Sequence, residues 1–427
     1  MIGSVGLLTK RRFLPLFVTQ FLGAFNDNLF KNAMIFFATY QIFNSVEDET
    51  RFSAIATGVF ILPFFLFSAV AGQLADSYDK AKIMRIIKFA EICIMLVGAT
   101  GIFLGSLELM MVALIGMGVH STFFGPIKYA IIPQHMRQEE VLGGTGLVEA
   151  GTYIAILTGT IVGGVISAHA AAYAVVGVAV VGYLASRNIP PAPPVAKLKI
   201  DWNIFRSSYN LIKATMHIRR LFLAIISISV FWTIAAVLGV LFPPLVKNVF
   251  HAQKDVASVF LGIFSVGIAI GSVIINALLK GHVSAKYSPV SVLVMAGFVV
   301  DFYFAAATWS VDSGPLIKTM EFVAMPAGWR VLFDLAMIAI TGGMFVVPLY
   351  AFLTTTVDKS QTSRTVAANN IVNSGFMVFG SVGILGVTKL GVSVSDAILV
   401  VLVLCLLSAW AAWTLHKACD GPHPLGH

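Results

Sequence analysis

The sequence predicts an all-α membrane protein of twelve transmembrane helices in two six-helix halves, with both termini in the cytoplasm. Three observations carry that expectation. Hydrophobic residues make up 58% and charged residues 11% of the 427, against a usual charged share of about 25%. A soluble chain of this size could not hide so much apolar surface. Apolar runs of about 20 residues, the length that crosses a bilayer, recur along the whole chain. Lys and Arg are distributed unevenly over alternate connections, 20 in one set and six in the other, and the richer set marks the cytoplasmic side. The net charge of +8 is therefore a topology signal, and no nucleic-acid partner is expected. Cys93, Cys405 and Cys419 are scattered and imply no disulfide framework. No cleavable signal peptide is visible, since Lys10-Arg11-Arg12 precedes a run too long and too polar in its middle.

Taken in order, the expected spans are 13–43, 53–75, 84–104, 108–131, 143–168, 170–186, 220–246, 256–279, 288–308, 331–353, 366–388 and 394–416. They group into an N-terminal half (1–186), a cytoplasmic linker (187–219) and a C-terminal half with its tail (220–427). Glu47–Arg51 is expected outside. In the linker, Pro190, Pro191, Pro193 and Pro194 make a stiff extended piece. After it, Trp202, Phe205, Tyr209, Ile212 and Met216 recur at helical spacing, with Asp201 as the expected cap. Arg206, Lys213, Arg219 and Arg220 accompany that stripe, so the helix is expected to lie on the inner membrane surface.

The halves read as a duplication. Phe124-Gly125-Pro126-Ile127-Lys128-Tyr129-Ala130 in span four resembles Val346-Val347-Pro348-Leu349-Tyr350-Ala351 in span ten. Leu147-Val148-Glu149-Ala150-Gly151 in span five resembles Ile371-Val372-Asn373-Ser374-Gly375 in span eleven. Matching spans in parallel repeats are a transporter pattern.

The charges inside the spans are the candidate functional groups, because an ionisable residue in hydrocarbon costs about 2.5–3.5 kcal/mol on insertion scales and must face protein or water. In span one, Asp27 and Lys31 are four residues apart and share a helix face, within a run that also carries Asn26, Asn28 and Asn32. They read either as a self-neutralised pair or as a site for a charged or zwitterionic solute. Lys128 lies between Pro126 and Pro133, and Glu149 opens a face of small residues, Gly151, Gly159, Gly163 and Gly164. The two read equally as an interhelical ion pair or as separate substrate contacts. Glu91 stands six residues beyond Arg85 and reads as near the interface; Asp301 reads as deeper. Asn369, Asn370 and Asn373 put amides on span eleven.

Enzyme readings find no support in the motifs. There is no Gly-x-Ser-x-Gly elbow, no His-Glu-x-x-His pair, no Gly-x-x-x-x-Gly-Lys loop, and His135 is followed five residues later by Glu140. No enzyme activity and no cofactor are expected. The histidines are scattered, and a lone loop histidine is more often solvated than a ligand.

The loop Gly72-Gln73-Leu74-Ala75-Asp76-Ser77-Tyr78-Asp79-Lys80-Ala81-Lys82 resembles the signature loop between spans two and three of the major facilitator superfamily, with Asp79 where that pattern usually has glycine. The resemblance implies a gating role for Asp76, meeting a neighbouring helix end or cation on the inner face, with Lys80 among the basic residues beside it. Together with Gln20–Asn28, Gly125–Tyr129, Leu147–Ala150, Phe345–Leu349 and Ala367–Ile371, this loop makes the chain similar to the lysophospholipid transporter family of that superfamily. The resemblance implies a major facilitator fold and a flippase that brings lysophosphatidylethanolamine-like one-chain lipids to the inner leaflet of the bacterial inner membrane. In that family an acyltransferase restores the second chain and in some relatives is fused to the transporter; here the chain stops after span twelve, so any such enzyme is expected to be separate. A phosphoethanolamine head would then pair its ammonium with Asp27 and its phosphate with Lys128 or Lys31, with Asn28 and Asn370 adding hydrogen bonds. Tyr129, Glu149 and Asn373 complete the expected substrate set. The competing reading is a proton-coupled facilitator exporter of small amphipathic compounds, with Glu149 or Asp27 as the protonation site.

Overall fold

The apolar runs become helices because a backbone in hydrocarbon must satisfy its own N–H and C=O groups. A computed structural model describes residues 4–42, 46–194, 199–253, 255–310 and 315–420; Lys197 and Lys254 of the charge bias lie outside them. In order, the helices are α1 (Leu14–Gln41), α2 (Val46–Ser77), α3 (Lys80–Leu104), α4 (Leu107–Ala130), the short α5 (Ile132–His135), α6 (Gln138–Val165) and α7 (Ala168–Ser186). They continue as the linker helix α8 (Ile204–Met216), α9 (Arg219–Pro244), α10 (Asp255–Leu279), α11 (Ser288–Ala307), the short α12 (Thr319–Ala324), α13 (Pro326–Thr355), α14 (Thr362–Lys389) and α15 (Ile398–Asp420). Among the described residues a 3-10 turn at Ser4–Thr9, a π-helical turn at Leu245–Val249 and one parallel bridge between Ala252 and Ile317 complete the regular structure.

Ten of these helices are long and apolar enough to cross a membrane. Two more, α1 and α14, have 28 residues each and so reach far enough, at about 1.5 Å per residue, but are more polar. They are the helices that carry Asn26, Asp27, Asn28, Lys31 and Asn32 in one case and Asn369, Asn370 and Asn373 in the other. Glu47–Arg51, expected as a loop, forms the first turns of α2.

Helix starts follow local chemistry. Asp79 caps α3, accepting from the N–H groups of Ala81 at 2.9 Å and Lys82 at 3.2 Å. Its carboxylate needs the position that the signature loop usually gives to glycine. Ser106 and Ser167 cap α4 and α7. Gly105, at φ +66°, ends α3 in the left-handed region open to glycine. In the linker, Asn203 and not Asp201 caps α8, accepting from the Arg206 N–H at 3.0 Å. Asp201 is diverted by the Arg206 guanidinium at 2.8 Å, a hydrogen bond that holds its carboxyl below the usual carboxylate range.

The chain divides into two compact units, Met1–Thr215 with Leu353–Ile371, and Met216–Phe352 with Val372–His427. Inside the first, α1 packs on α6 and α7, α3 on α4 and α7, and α2 on α4. Inside the second, α15 packs on α9 and α11, as α7 does on α1 and α3. Close approaches fall on glycines. A Cβ at Gly163 of α6 would lie 2.8 Å from the Leu29 carbonyl oxygen of α1, and one at Gly118 of α4 would lie 2.7 Å from the Phe60 oxygen of α2. In the second unit, Gly271 of α10 meets Ile340 of α13, and Gly380 of α14 meets Thr233 of α9. The pairings recur from unit to unit at matching places in the order of helices, as a duplication predicts.

Gly163→Leu is expected to lower the thermal unfolding temperature of detergent-purified protein, with an overpacking cost of about 1–3 kcal/mol. Gly177→Ala, where nothing lies within 4 Å of the added carbon, is expected to leave it unchanged. Equal effects would contradict the helix contact.

Candidate functional site

In the first unit the polar face of α1 meets α4 and α6. Asp27 Oδ2 accepts from the Ser121 hydroxyl of α4 at 2.5 Å, while its Oδ1 is buried without a hydrogen-bond partner. The Asn28 amide turns back to the Ala24 carbonyl at 2.8 Å, and Asn32 reaches Thr160 of α6 at 3.3 Å. The Lys31 ammonium sits 5.7 Å from the centre of the Phe60 ring. Lys128 lies 3.4 Å from the Thr152 hydroxyl and 4.9 Å from the centre of its neighbour's ring, Tyr129. Thr152 in turn donates to Gln20 at 3.0 Å, and the Tyr129 hydroxyl donates to Glu149.

Of the alternatives read for these charges, neither ion pair closes. Asp27 does not pair with Lys31, nor Lys128 with Glu149: Ser121 and Tyr129 hold the acids, and aromatic faces and a threonine receive the amines. Asp27, Asn28, Lys31 and Lys128 are half-buried, whereas Glu149 and Tyr129 are buried.

A second group of charges lies deeper. Lys88, Glu91 and His120 are buried, with Lys88 and Glu91 paired and the His120 Nε2 3.0 Å from Glu91 Oε2. Asn26 of α1 donates to Glu91 at 2.8 Å and to the Val175 carbonyl of α7 at 3.1 Å. Glu91, read as near the interface, is instead eleven residues into α3, about 16 Å along its axis. Lys88, counted in the cytoplasmic charge set, belongs with it in the interior. The signals present in the sequence were the Lys88–Glu91 spacing of three, which shares a helix face, and Gly23 and Gly182. A Cβ at Gly182 would sit 2.9 Å from the Lys88 ammonium, and one at Gly23 would sit 3.5 Å from it.

Asp76 is buried at the end of α2, and its carboxylate accepts from the backbone N–H groups of Ser363 at 3.0 Å and Arg364 at 3.1 Å, in the first turn of α14. The Arg364 guanidinium adds a bond at 3.1 Å. The expected contact with a helix end or a cation is thus made with both at once. A Cβ at Gly72 would lie 2.7 Å from that of Ala367, so this approach needs glycine. Lys80 is buried, with its ammonium unpartnered and its N–H bonded to Ala192 of the linker.

Asn369 is buried in the first unit with neither amide atom hydrogen-bonded. Asn370 lies beside Gly125, where an added Cβ would be 3.2 Å from its amide nitrogen. Asn373 belongs to the second unit, accepting from Ser229 at 2.6 Å and donating to Tyr350 at 3.5 Å. Trp232 also donates to the Tyr350 hydroxyl, at 2.7 Å. Tyr129 with Glu149 and Tyr350 with Asn373 are the same tyrosine-to-next-helix contact in the two repeat stretches. Asp301, expected deep, is half-exposed near the end of α11 and paired with Arg330, whose Nε lies 3.2 Å away.

The profile described as Major Facilitator Superfamily matches residues 16–381. The chain belongs to the Major Facilitator Superfamily. Within it, the chain is 26% identical to lysophospholipid transporter LplT of Enterobacter sp. (strain 638) over 359 residues, 83% of this chain and 81% of that protein. It is 26% identical to LplT of Escherichia coli (strain SE11), covering 83% and 82%. Solved structures share the facilitator fold. A bacterial homologue of the iron transporter ferroportin in an outward-facing state matches with TM-score 0.71 and 14% identity, covering 94% of this chain and 99% of that one. The human organic anion transporter MFSD10 matches with TM-score 0.73 and 12% identity over 94% and 99%. Facilitator membership and the ten apolar helices make this a multi-pass membrane protein.

Glu91→Gln is expected to destabilise the detergent-purified protein strongly, since breaking a buried pair leaves Lys88 uncompensated at a cost of about 3–5 kcal/mol. Asp27→Asn keeps an acceptor for Ser121 and is expected to cost far less. Thermal unfolding of the two variants, with the reverse order of stability, would contradict this description of the charges.

Proposed function

We propose that this chain is a lysophospholipid transporter. It moves lysophosphatidylethanolamine-like one-chain lipids to the cytoplasmic leaflet of a bacterial inner membrane by alternating access. In this reading α1 and α14 join the ten apolar helices as spans, giving twelve, with both termini cytoplasmic. One observation carries it: Asp27 and Lys128, in stretches that resemble the transporters, are half-buried opposite charges held by hydroxyls and an aromatic ring rather than by countercharges. A zwitterionic head supplies both missing partners. Its ammonium meets Asp27 and its phosphate meets Lys128, with Lys31 as a second cation and Asn28 and Asn370 as hydrogen-bond donors. Glu149 and Asn373 act one step back, holding Tyr129 and Tyr350. Asp76 and Lys80 gate, the Asp76 bonds to α14 breaking during the cycle. An acyltransferase that restores the second chain acts as a separate partner.

One observation favours a second reading, a proton-coupled exporter of small amphipathic compounds: the interior acid Glu91 touches His120. Binding of a lysolipid against a cationic dye separates the two.

Three tests follow from this reading. Labelling from outside is expected to mark Asp48→Cys and to spare Lys199→Cys; the opposite pattern would overturn the topology. Asp76→Ala is expected to slow transport more than it weakens binding, and lost affinity with unchanged conformational balance would remove its gating role. Asp27→Asn is expected to reduce uptake of lysophosphatidylethanolamine about 10–100-fold, the loss of one charge-assisted bond, and to affect lysophosphatidylglycerol, which has no amine, much less. Lys128→Ala is expected to reduce both. Equal losses in all four combinations, normalised to folded protein, would retire the head-group assignment.

A further inference from the structure

We propose that Asp334 and Asp301 of the second unit form a proton-binding carboxyl pair, with one proton held between them and Arg330 as the cation that decides which acid gives it up. The pair is independent of the substrate that the chain carries.

Asp334 differs from the other interior acids. It stands eight residues beyond the start of α13, about 12 Å along the axis of a helix long and apolar enough to span. It is 1% exposed, and neither carboxyl oxygen receives a hydrogen bond from the described residues. Glu149 has the Tyr129 hydroxyl, Asp76 has two backbone N–H groups, and Glu91 has the Asn26 amide. An ionised Asp334 would lack every such donor in a place where burial makes donors necessary.

Its polar neighbour is another carboxyl. The Asp334 and Asp301 side chains lie within hydrogen-bonding reach of each other, and two ionised carboxylates have no hydrogen to share. One proton supplies it. A protonated carboxyl donates to an ionised one in a strong, charge-assisted bond, and the repulsion between like charges disappears.

Charge points the same way. The charged groups that act on Asp334 are Asp301 of α11 and Arg330, which is four residues before it on the same face of α13. The helix α10 meets α13 through Gly267 and Gly271, and its one ionisable residue is Asp255 at its start. The helix α9 meets α13 at Phe231, and its ionisable residues are Arg219 and Arg220 at its start. Tyr303 of α11 turns to Asp396 at 3.1 Å, and Glu321 of α12 accepts from the Lys318 N–H at 3.0 Å. Two carboxyls and one guanidinium are neutral with one proton. Without it they carry a negative charge, which is costly among apolar helices.

The two acids differ in access. Asp301 is half-exposed and gripped by Arg330, whose Nε lies 3.2 Å away, whereas Asp334 is enclosed. While Arg330 stays on Asp301, that carboxylate remains ionised and the proton resides on Asp334. When Arg330 turns to Asp334, the Asp334 O–H bond breaks, an O–H bond forms on Asp301, and the guanidinium pairs with the new Asp334 carboxylate. The transfer creates no charge. Asp301 then releases the proton to water from the exposed side, and loading runs in reverse. Asp334 is the store and Asp301 the port.

The test is infrared spectroscopy of full-length protein in detergent at pH 7, without substrate. The carbonyl-stretch band of an un-ionised carboxylic acid is expected in the wild type, and Asp334→Asn is expected to lose one carboxyl's share of it. Asp301→Asn leaves Asp334 in place but frees Arg330 to pair with it, so the same share is expected to vanish; a carboxyl kept neutral by burial alone would retain it. In thermal unfolding, exposure lets the acid ionise above about pH 4. The wild-type equilibrium is therefore expected to shift toward the unfolded form by about tenfold per pH unit above that point, and Asp334→Asn is expected to remove this one-proton slope. A band that neither variant diminishes, a share that survives in Asp301→Asn, or a slope retained in Asp334→Asn overturns the inference. Stabilisation by sodium chloride over choline chloride, present in the wild type and absent in Asp334→Asn, overturns it in favour of a metal cation. Each of these outcomes leaves the lysolipid reading standing.

Discussion

A charge carried into hydrocarbon has to find its partner inside the protein, and much of this molecule's arrangement follows from that requirement. The polar helices α1 and α14 can lie among apolar ones only if their polar faces are turned to neighbours that answer them. Ser121, Thr160 and Glu91 answer α1. Glycines let those neighbours come close enough: Gly163 admits the α1 backbone, and Gly23 and Gly182 leave a hollow for the Lys88 ammonium. Small residues and interior charges are thus one device, since the first make room for the partners that the second require.

The two units apply that device with different chemistry. Each places a tyrosine after an intrahelical proline, Tyr129 after Pro126 and Tyr350 after Pro348, and each tyrosine meets a polar residue of the next long helix. In the first unit the partner is Glu149; in the second it is Asn373. An amide needs hydrogen bonds but no countercharge, so the Tyr350–Asn373 contact keeps the geometry without that electrostatic demand. The first unit, by contrast, gathers Asp27, Lys31, Lys88, Glu91, His120, Lys128 and Glu149. In the proposed transport cycle, recognition of head-group charge belongs to the first unit.

The sequence made the helical fold legible because hydropathy acts on long windows. The apolar helices and the linker helix could be read from composition and spacing alone. The site was legible only in part. Asp27, Lys128 and Glu149 stand out as charges in apolar runs. Lys88 did not, because it follows Lys80, Lys82 and Arg85 and looks like the end of a cytoplasmic cluster; only packing against Gly182 reveals that the chain has already entered the interior. His120 is a single histidine in an apolar stretch, and nothing local distinguishes a satisfied core residue from one facing Glu91 across helices. Asp79 looked like a departure from a glycine pattern, although capping α3 is sufficient reason for it. Long-range pairing is the information that spacing does not hold.

The end of α2 shows how local chemistry ties distant segments together. Within eight residues, Gly72 admits Ala367, Gln73 accepts from the Asp201 N–H at 2.8 Å and donates to Ser207 of α8, Asp76 caps α14, and Asp79 caps α3 while accepting from Ala192 at 3.2 Å. The start of α14 and both ends of the linker therefore grip one helical stretch. α8 docks through its polar side, with Ser207 and Thr215 buried, and leaves Trp202, Phe205 and Tyr209 exposed beside Arg206 and Lys213. That inversion suits a helix whose aromatic side faces the headgroup region of a bilayer. In the proposed cycle α14 must let go of Asp76, and the carboxylate then loses two N–H donors and a guanidinium together. Bonds of this kind are strong as a set yet rest on a helix terminus, so a rigid displacement of one helix start breaks them all in a single step. The linker bonds at Gln73 and Asp79 do not involve α14 and can persist through that displacement. The α2 end, with α8 attached, is then the fixed post from which α14 departs and to which it returns.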